Sequence, residues 1–96
     1  MERLEATIRG AVQGVGFRWF VTRQAARLGI RGWVANASDG SVRVVAEGDA
    51  ASLDQLEQVL GLGPPGARVD GVESSRGAGT GGFSRFETRS GSHPGD

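Results

Sequence analysis

The sequence predicts an α+β domain, a mainly antiparallel sheet with two helices on one face. Three observations lead there. Short β-rich runs are interleaved with two runs whose apolar residues recur every three to four positions. An Asp39-Gly40 pair stands between two of the β-rich runs, a strong hairpin signal. Each helical run also meets a glycine, Gly29 and Gly61, suited to stop it. A chain of 96 residues is enough for one such domain around one core.

The elements follow in order. In "RLEATIRG", Arg3 to Gly10, Leu4, Ala6 and Ile8 fall on one face and the polar residues on the other, which predicts a half-buried strand. After a glycine loop, Phe17, Phe20, Val21, Ala25 and Leu28 form the stripe of an amphipathic helix. Two strands follow, at 30–37 and 41–47. Asp49 is placed to cap a second helix with Leu53, Leu56, Val59 and Leu60 as its stripe. "GLGPPGAR" reads as a rigid loop, 68–74 as a fourth strand and 83–89 as a fifth, joined through "RGAGTGG". The order is βαββαβ plus a fifth edge strand, and burying both helical stripes on one sheet face makes a ferredoxin-like α/β sandwich. The expected domain is 1–89, with a disordered tail over 90–96 that contains the single His93.

Composition excludes several function classes. The net charge is zero, with 11 basic residues, all arginine, against 11 acidic ones, so bulk nucleic-acid binding is not expected. There is no cysteine, hence no disulfide frame or thiol chemistry, which fits a cytoplasmic protein. No signal peptide or membrane-spanning run is recognisable. One histidine and no cysteine make a transition-metal site unexpected.

The stretch "GAVQGVGFR", Gly10 to Arg18, raises the functional question. It links the first strand to the first helix. The opening N–H groups of a helix are unpaired and lie at the positive end of its dipole, so a glycine-rich turn there can form an anion nest. Arg18 falls in the first helical turn, where its fork matches two phosphate oxygens. No Lys-Ser/Thr follows the loop, and position 19 is Trp instead of a third glycine, so nucleotide-type loops do not fit. The loop alone leaves two readings open: a plain connection with a solvated Arg18, or an anion site.

A second motif narrows this. "VQGVGFR" at 12–18, followed by "GWVANASDG" at 32–40, closely resembles the acylphosphatase family. "VVAEG" at 44–48, "GPPGARV" at 63–69 and "TGGFSRFE" at 80–87 resemble it too, so the similarity runs from about Leu4 to Arg89. The resemblance implies hydrolysis of the carboxyl–phosphate bond of acyl phosphates, without metal or cofactor. It implies that Gln13, Gly14, Val15, Gly16, Phe17 and Arg18 cradle the phosphate, with Arg18 essential, and that Asn36 orients the attacking water. Ala35 and Ala37 depart from the family pattern, which often has a basic and a bulky apolar residue there.

The residues support such chemistry. An acyl phosphate carries a good leaving group and needs a held phosphoryl group, charge stabilisation and a placed water. Asn36 shares a strand face with Ile30, Gly32 and Val34, the parity of an inward-facing row. Its amide donates to and accepts from water but takes no proton, so a substrate phosphate oxygen is the expected proton acceptor. Trp19 and Trp33 read as packing or rim residues and Asp39 as turn chemistry. The expected partners are a small acyl phosphate and inorganic phosphate, the latter as product and inhibitor of a monomer. The competing reading is a non-catalytic binding module of the same fold. An RNA-binding version would need exposed aromatics on its central strands, and "SVRVVAEG" has none.

Overall fold

The computed structural model of the chain describes residues 1–92. Its elements are β1 (Glu2–Ala11), α1 (Phe17–Leu28), β2 (Arg31–Asn36), β3 (Val42–Gly48), α2 (Ala50–Leu62), β4 (Arg68–Ala78) and β5 (Phe86–Ser92). They form one five-stranded sheet in the order β4-β1-β3-β2-β5. All neighbours are antiparallel except β2 and β5, which run parallel. The fifth strand is an edge strand, as expected. Both helices pack on one face and enclose a core of Leu4, Ile8, Phe17, Val21, Val34, Leu53, Leu56 and Leu60, each at most 2% exposed. Every one of these apolar positions follows the strand or helix period of its segment.

Several boundaries differ from the sequence expectation. Helix α2 passes through Gly61 and ends at Gly63, whose N–H bonds to the Val59 carbonyl at 3.0 Å just before Pro64 and Pro65. Asp49 holds the N-cap position, but its side chain makes no capping hydrogen bond; its backbone carbonyl accepts from Leu53 N–H at 3.0 Å. Strand β4 continues to Ala78 because β1 offers a paired edge throughout, from Ala11↔Arg68 to Glu2↔Ala78. Strand β5 starts at Phe86 and reaches Ser92, so residues 90–92 of the expected tail are strand. Residues 93–96, including His93, lie outside the described residues.

The opposite sheet face carries a small second cluster of Trp33, Ala35 and Val45, against which Phe83 packs. Ala35, one of the departures from the family pattern, is fully buried there. The connection between β4 and β5 is held over this face by Glu47. Its carboxylate accepts from Thr80 N–H, Thr80 Oγ1 and Gly81 N–H, each at 2.9 Å, and from Arg3 at 3.1 Å. These bonds, the Thr80 N–H first, hold its pKa down at about 2 despite its burial, which acts the other way.

A carboxylate whose pKa is depressed in the folded state contributes stability that is present above its unfolded pKa and is lost on acidification. The Glu47 contribution therefore fades as pH falls from about 4.5 towards about 2. Melting curves across that window should show a smaller acid-induced fall in Tm for Glu47→Gln than for the wild type, with a lower Tm for the variant at pH 7.

Candidate active site

Sheet register brings the two sequence motifs to the same end of the molecule. Strands β1 and β2 both run antiparallel to β3, so they are parallel to each other and end at the same sheet edge. Ile8 and Asn36 are both register partners of Val42. Asn36 thus stands two strand spacings, about 10 Å, from Ile8 on the strand that leads into the glycine loop. A groove of about 480 Å³ opens at this edge, lined by Gly14, Gly16, Arg18 and Asn36 among others.

The loop has the geometry of a nest. Gly14 and Gly16 both adopt positive φ, 75° and 78°, and beyond the adjoining residues no heavy atom lies within 4 Å of where a Cβ would stand on either. Space is therefore not what requires glycine here; the left-handed backbone is. Gly16 is the N-cap of α1, without a side-chain cap, and the first helical bond is Phe20 N–H to its carbonyl at 3.0 Å. The N–H groups of Phe17, Arg18 and Trp19 consequently have no acceptor within the helix ladder, at its positive end.

Arg18 is half-buried and anchored. Its Nη1 donates to the Arg89 carbonyl at 2.9 Å. Arg89 is the register partner of Ala35, the residue before Asn36. The bond thus draws the guanidinium from α1 towards the strand pair that carries Asn36, and a guanidinium keeps further N–H donors for a ligand. Thr22 and Thr88 complete that side of the groove. Thr22 Oγ1 donates to the Arg18 carbonyl at 2.9 Å, so its 2.8 Å contact with Thr88 Oγ1 has Thr88 as donor. Sequence reasoning missed both threonines. Thr22 is four residues after Arg18 on the same helix face, a usable signal; Thr88 arrives through parallel pairing and has none.

The remaining residues of the loop differ in what they touch. Phe17 is buried with its ring edge-on to Phe20 at 6.1 Å, and Val15 packs against the core. The Gln13 side chain does not line the groove. Its amide donates to the carbonyls of Ala37 and Ser41 at 2.8 and 2.9 Å, clipping the glycine loop to the hairpin beyond Asn36. That hairpin loop spans five residues, and only Gly40 in it has positive φ. Gly40 N–H closes on the Ala37 carbonyl at 3.2 Å, and Asp39 accepts from Ser41 Oγ at 2.6 Å and Ser41 N–H at 3.0 Å. These bonds and the Arg9 ion pair hold the Asp39 pKa down at about 2.

Gln13→Ala removes two part-buried hydrogen bonds while both carbonyls keep a backbone donor, Gly40 for Ala37 and Ala37 for Ser41. The expected loss is about 1–3 kcal/mol of stability, measured as a shift in the urea midpoint.

Together, fold and groove define a small ferredoxin-like α+β domain with a glycine-and-arginine-lined groove at the end of its strands. The family model described as Acylphosphatase matches residues 4–88. An acylphosphatase of Synechococcus sp. is 56% identical over 80 residues, covering 83% of this chain and 68% of that protein. The crystal structure of acylphosphatase from Bacillus subtilis superposes with a TM-score of 0.90 at 32% identity, over 94% of this chain and 100% of that one. An acylphosphatase from Coxiella burnetii gives 0.85 at 38% identity, over 92% and 93%. The chain belongs to the acylphosphatase family, and its reaction is the hydrolysis of acyl phosphates. No helix among the described residues is long and apolar enough to cross a membrane.

Proposed function

We propose that the 13–18 loop and Arg18 hold the phosphoryl group of the acyl phosphate while Asn36 orients the water that attacks it. The observation that carries this reading is the meeting of Gly14, Gly16, Arg18 and Asn36 on one groove, from two strands that end at the same sheet edge. The loop N–H groups and the guanidinium oppose the charge on the phosphoryl oxygens. Gly14 and Gly16 contribute the backbone conformation, Phe17 and Val15 their amides, and Gln13 the clip to the hairpin. Preorganised donors of this kind each account for roughly 3–4 kcal/mol of barrier.

Asn36 is half-buried at the end of β2, where its amide group accepts from and donates to the water. The water oxygen attacks phosphorus, and the bond from phosphorus to the carboxylate oxygen breaks. One water proton passes to a phosphoryl oxygen, giving dihydrogen phosphate and a carboxylate. This substrate-assisted transfer suits a groove with no titratable base among the lining residues. We further read the enzyme as a cytoplasmic monomer inhibited by its product phosphate; the cysteine-free composition favours the location.

Hydrolysis of benzoyl phosphate, followed by ultraviolet absorbance in the presence of a chelator, tests the reaction. Turnover at the same rate with and without chelator is expected. Folded protein with no turnover would favour the binding-module alternative, and rescue by an added divalent cation would contradict the metal-independent mechanism.

A further inference from the structure

The phosphoryl group has four heavy atoms and fills only a small part of a groove of about 480 Å³. The rest of the groove must be bounded by something other than the loop, and one wall of it is Trp19. This residue is 63% exposed, one of three large apolar side chains so exposed among the described residues. The other two, Met1 and Leu62, lie away from the groove; Trp19 lines it. It directly follows Arg18 in the first turn of α1, and both residues line the groove. Thr22, three residues on, lies next to it on the helix surface and also borders the groove.

The ring is held in place. The Arg23 guanidinium stacks on it at 4.8 Å from the ring centre, one helical turn further along. Arg23 itself does not line the groove. An indole left this exposed gains nothing for the core, and a cation stacked on it restricts its orientation. A flat apolar surface fixed beside a phosphoryl site suits a planar apolar group attached to that phosphoryl. The polar neighbours, Thr22 and Thr88, already hydrogen-bond each other and Arg18, so they offer little to a small polar acyl chain.

We infer that Trp19, steadied by Arg23, is the acyl-group platform of this enzyme and makes it select aromatic or other extended planar acyl phosphates over short aliphatic ones. This rests on the phosphoryl group binding at the 13–18 loop as proposed above. Trp19 contributes to substrate affinity and selectivity, and phosphate binding itself does not depend on it.

The test compares KM and kcat for benzoyl phosphate and acetyl phosphate, with inhibition by inorganic phosphate as the internal control. In Trp19→Ala, KM for benzoyl phosphate should rise about 10-fold, the effect of losing one aromatic stack and its contact area. KM for acetyl phosphate and the phosphate inhibition constant should stay within twofold. Trp19→Phe should recover most of the benzoyl preference, which separates a stacking role from a general disturbance of α1. Arg23→Gln should give an intermediate loss of the preference. Equal changes for both substrates, or no change for either, would overturn the platform while leaving the phosphate site standing. Wild-type enzyme that turns over neither substrate would remove the phosphate-site reading and the platform together.

Discussion

Arg18→Ala lowers kcat/KM for benzoyl phosphate by about 10³-fold or more, the scale set by removing an arginine that stabilises a transferring phosphoryl group. The physical reason is specific to where Arg18 sits. It combines the first turn of α1, where helix N–H groups already favour an anion, with a bond to the Arg89 carbonyl that fixes the fork beside β2. Alanine loses both the charge and the fork. Arg18→Lys restores charge but not two parallel N–H donors, so it should recover little of the activity. Because Arg18 is half-buried and makes no contribution to the apolar core, both variants should melt within a few degrees of the wild type. Steady-state kinetics with melting curves check this, and a variant that folds and keeps more than a tenth of the activity contradicts the assignment.

Asn36→Ala is expected to lower kcat by about 10²–10³-fold with a smaller change in KM. Asn36 belongs to the inward-facing row of β2, after Val34, and is the polar end of that row. Removing its amide leaves the phosphoryl cradle intact and the water unplaced. Asn36→Asp should do no better, since a carboxylate next to the phosphoryl oxygens repels them. A loss confined to KM would instead mean that Asn36 holds substrate and that the water is placed elsewhere.

The contrast between these residues and others shows what a linear sequence carries. The core was legible because Leu4, Ala6, Ile8, Phe17, Val21 and Leu53 repeat with the period of their elements and occur as buried residues. The left-handed backbone of Gly14 and Gly16 and the place of Arg18 in the first turn of α1 were legible because backbone chemistry at a strand-to-helix turn is local. Gln13 was not. As part of a loop it reads as cradle, yet its amide is committed to two carbonyls 24 and 28 residues away. Glu47 follows the outward parity of β3 and so reads as exposed. It is 2% exposed because the glycine-rich 79–82 segment folds back and donates its N–H groups to it. The same holds for Thr88, which reaches the groove, and for the Arg89 carbonyl, which reaches Arg18, both through β5 pairing in parallel with β2. Each failure is a contact between residues far apart in sequence, with backbone as a partner or set in place by strand pairing, which leaves no residue pattern behind.

The division of labour between Arg18 and Asn36 is tested most directly by titrating inorganic phosphate into the two alanine variants by isothermal calorimetry. Asn36→Ala should bind phosphate within about twofold of the wild type, and Arg18→Ala should bind it at least about 10-fold more weakly, a difference of about 1.4 kcal/mol or more. Near-normal phosphate affinity in Arg18→Ala, or its loss in Asn36→Ala, would contradict the account.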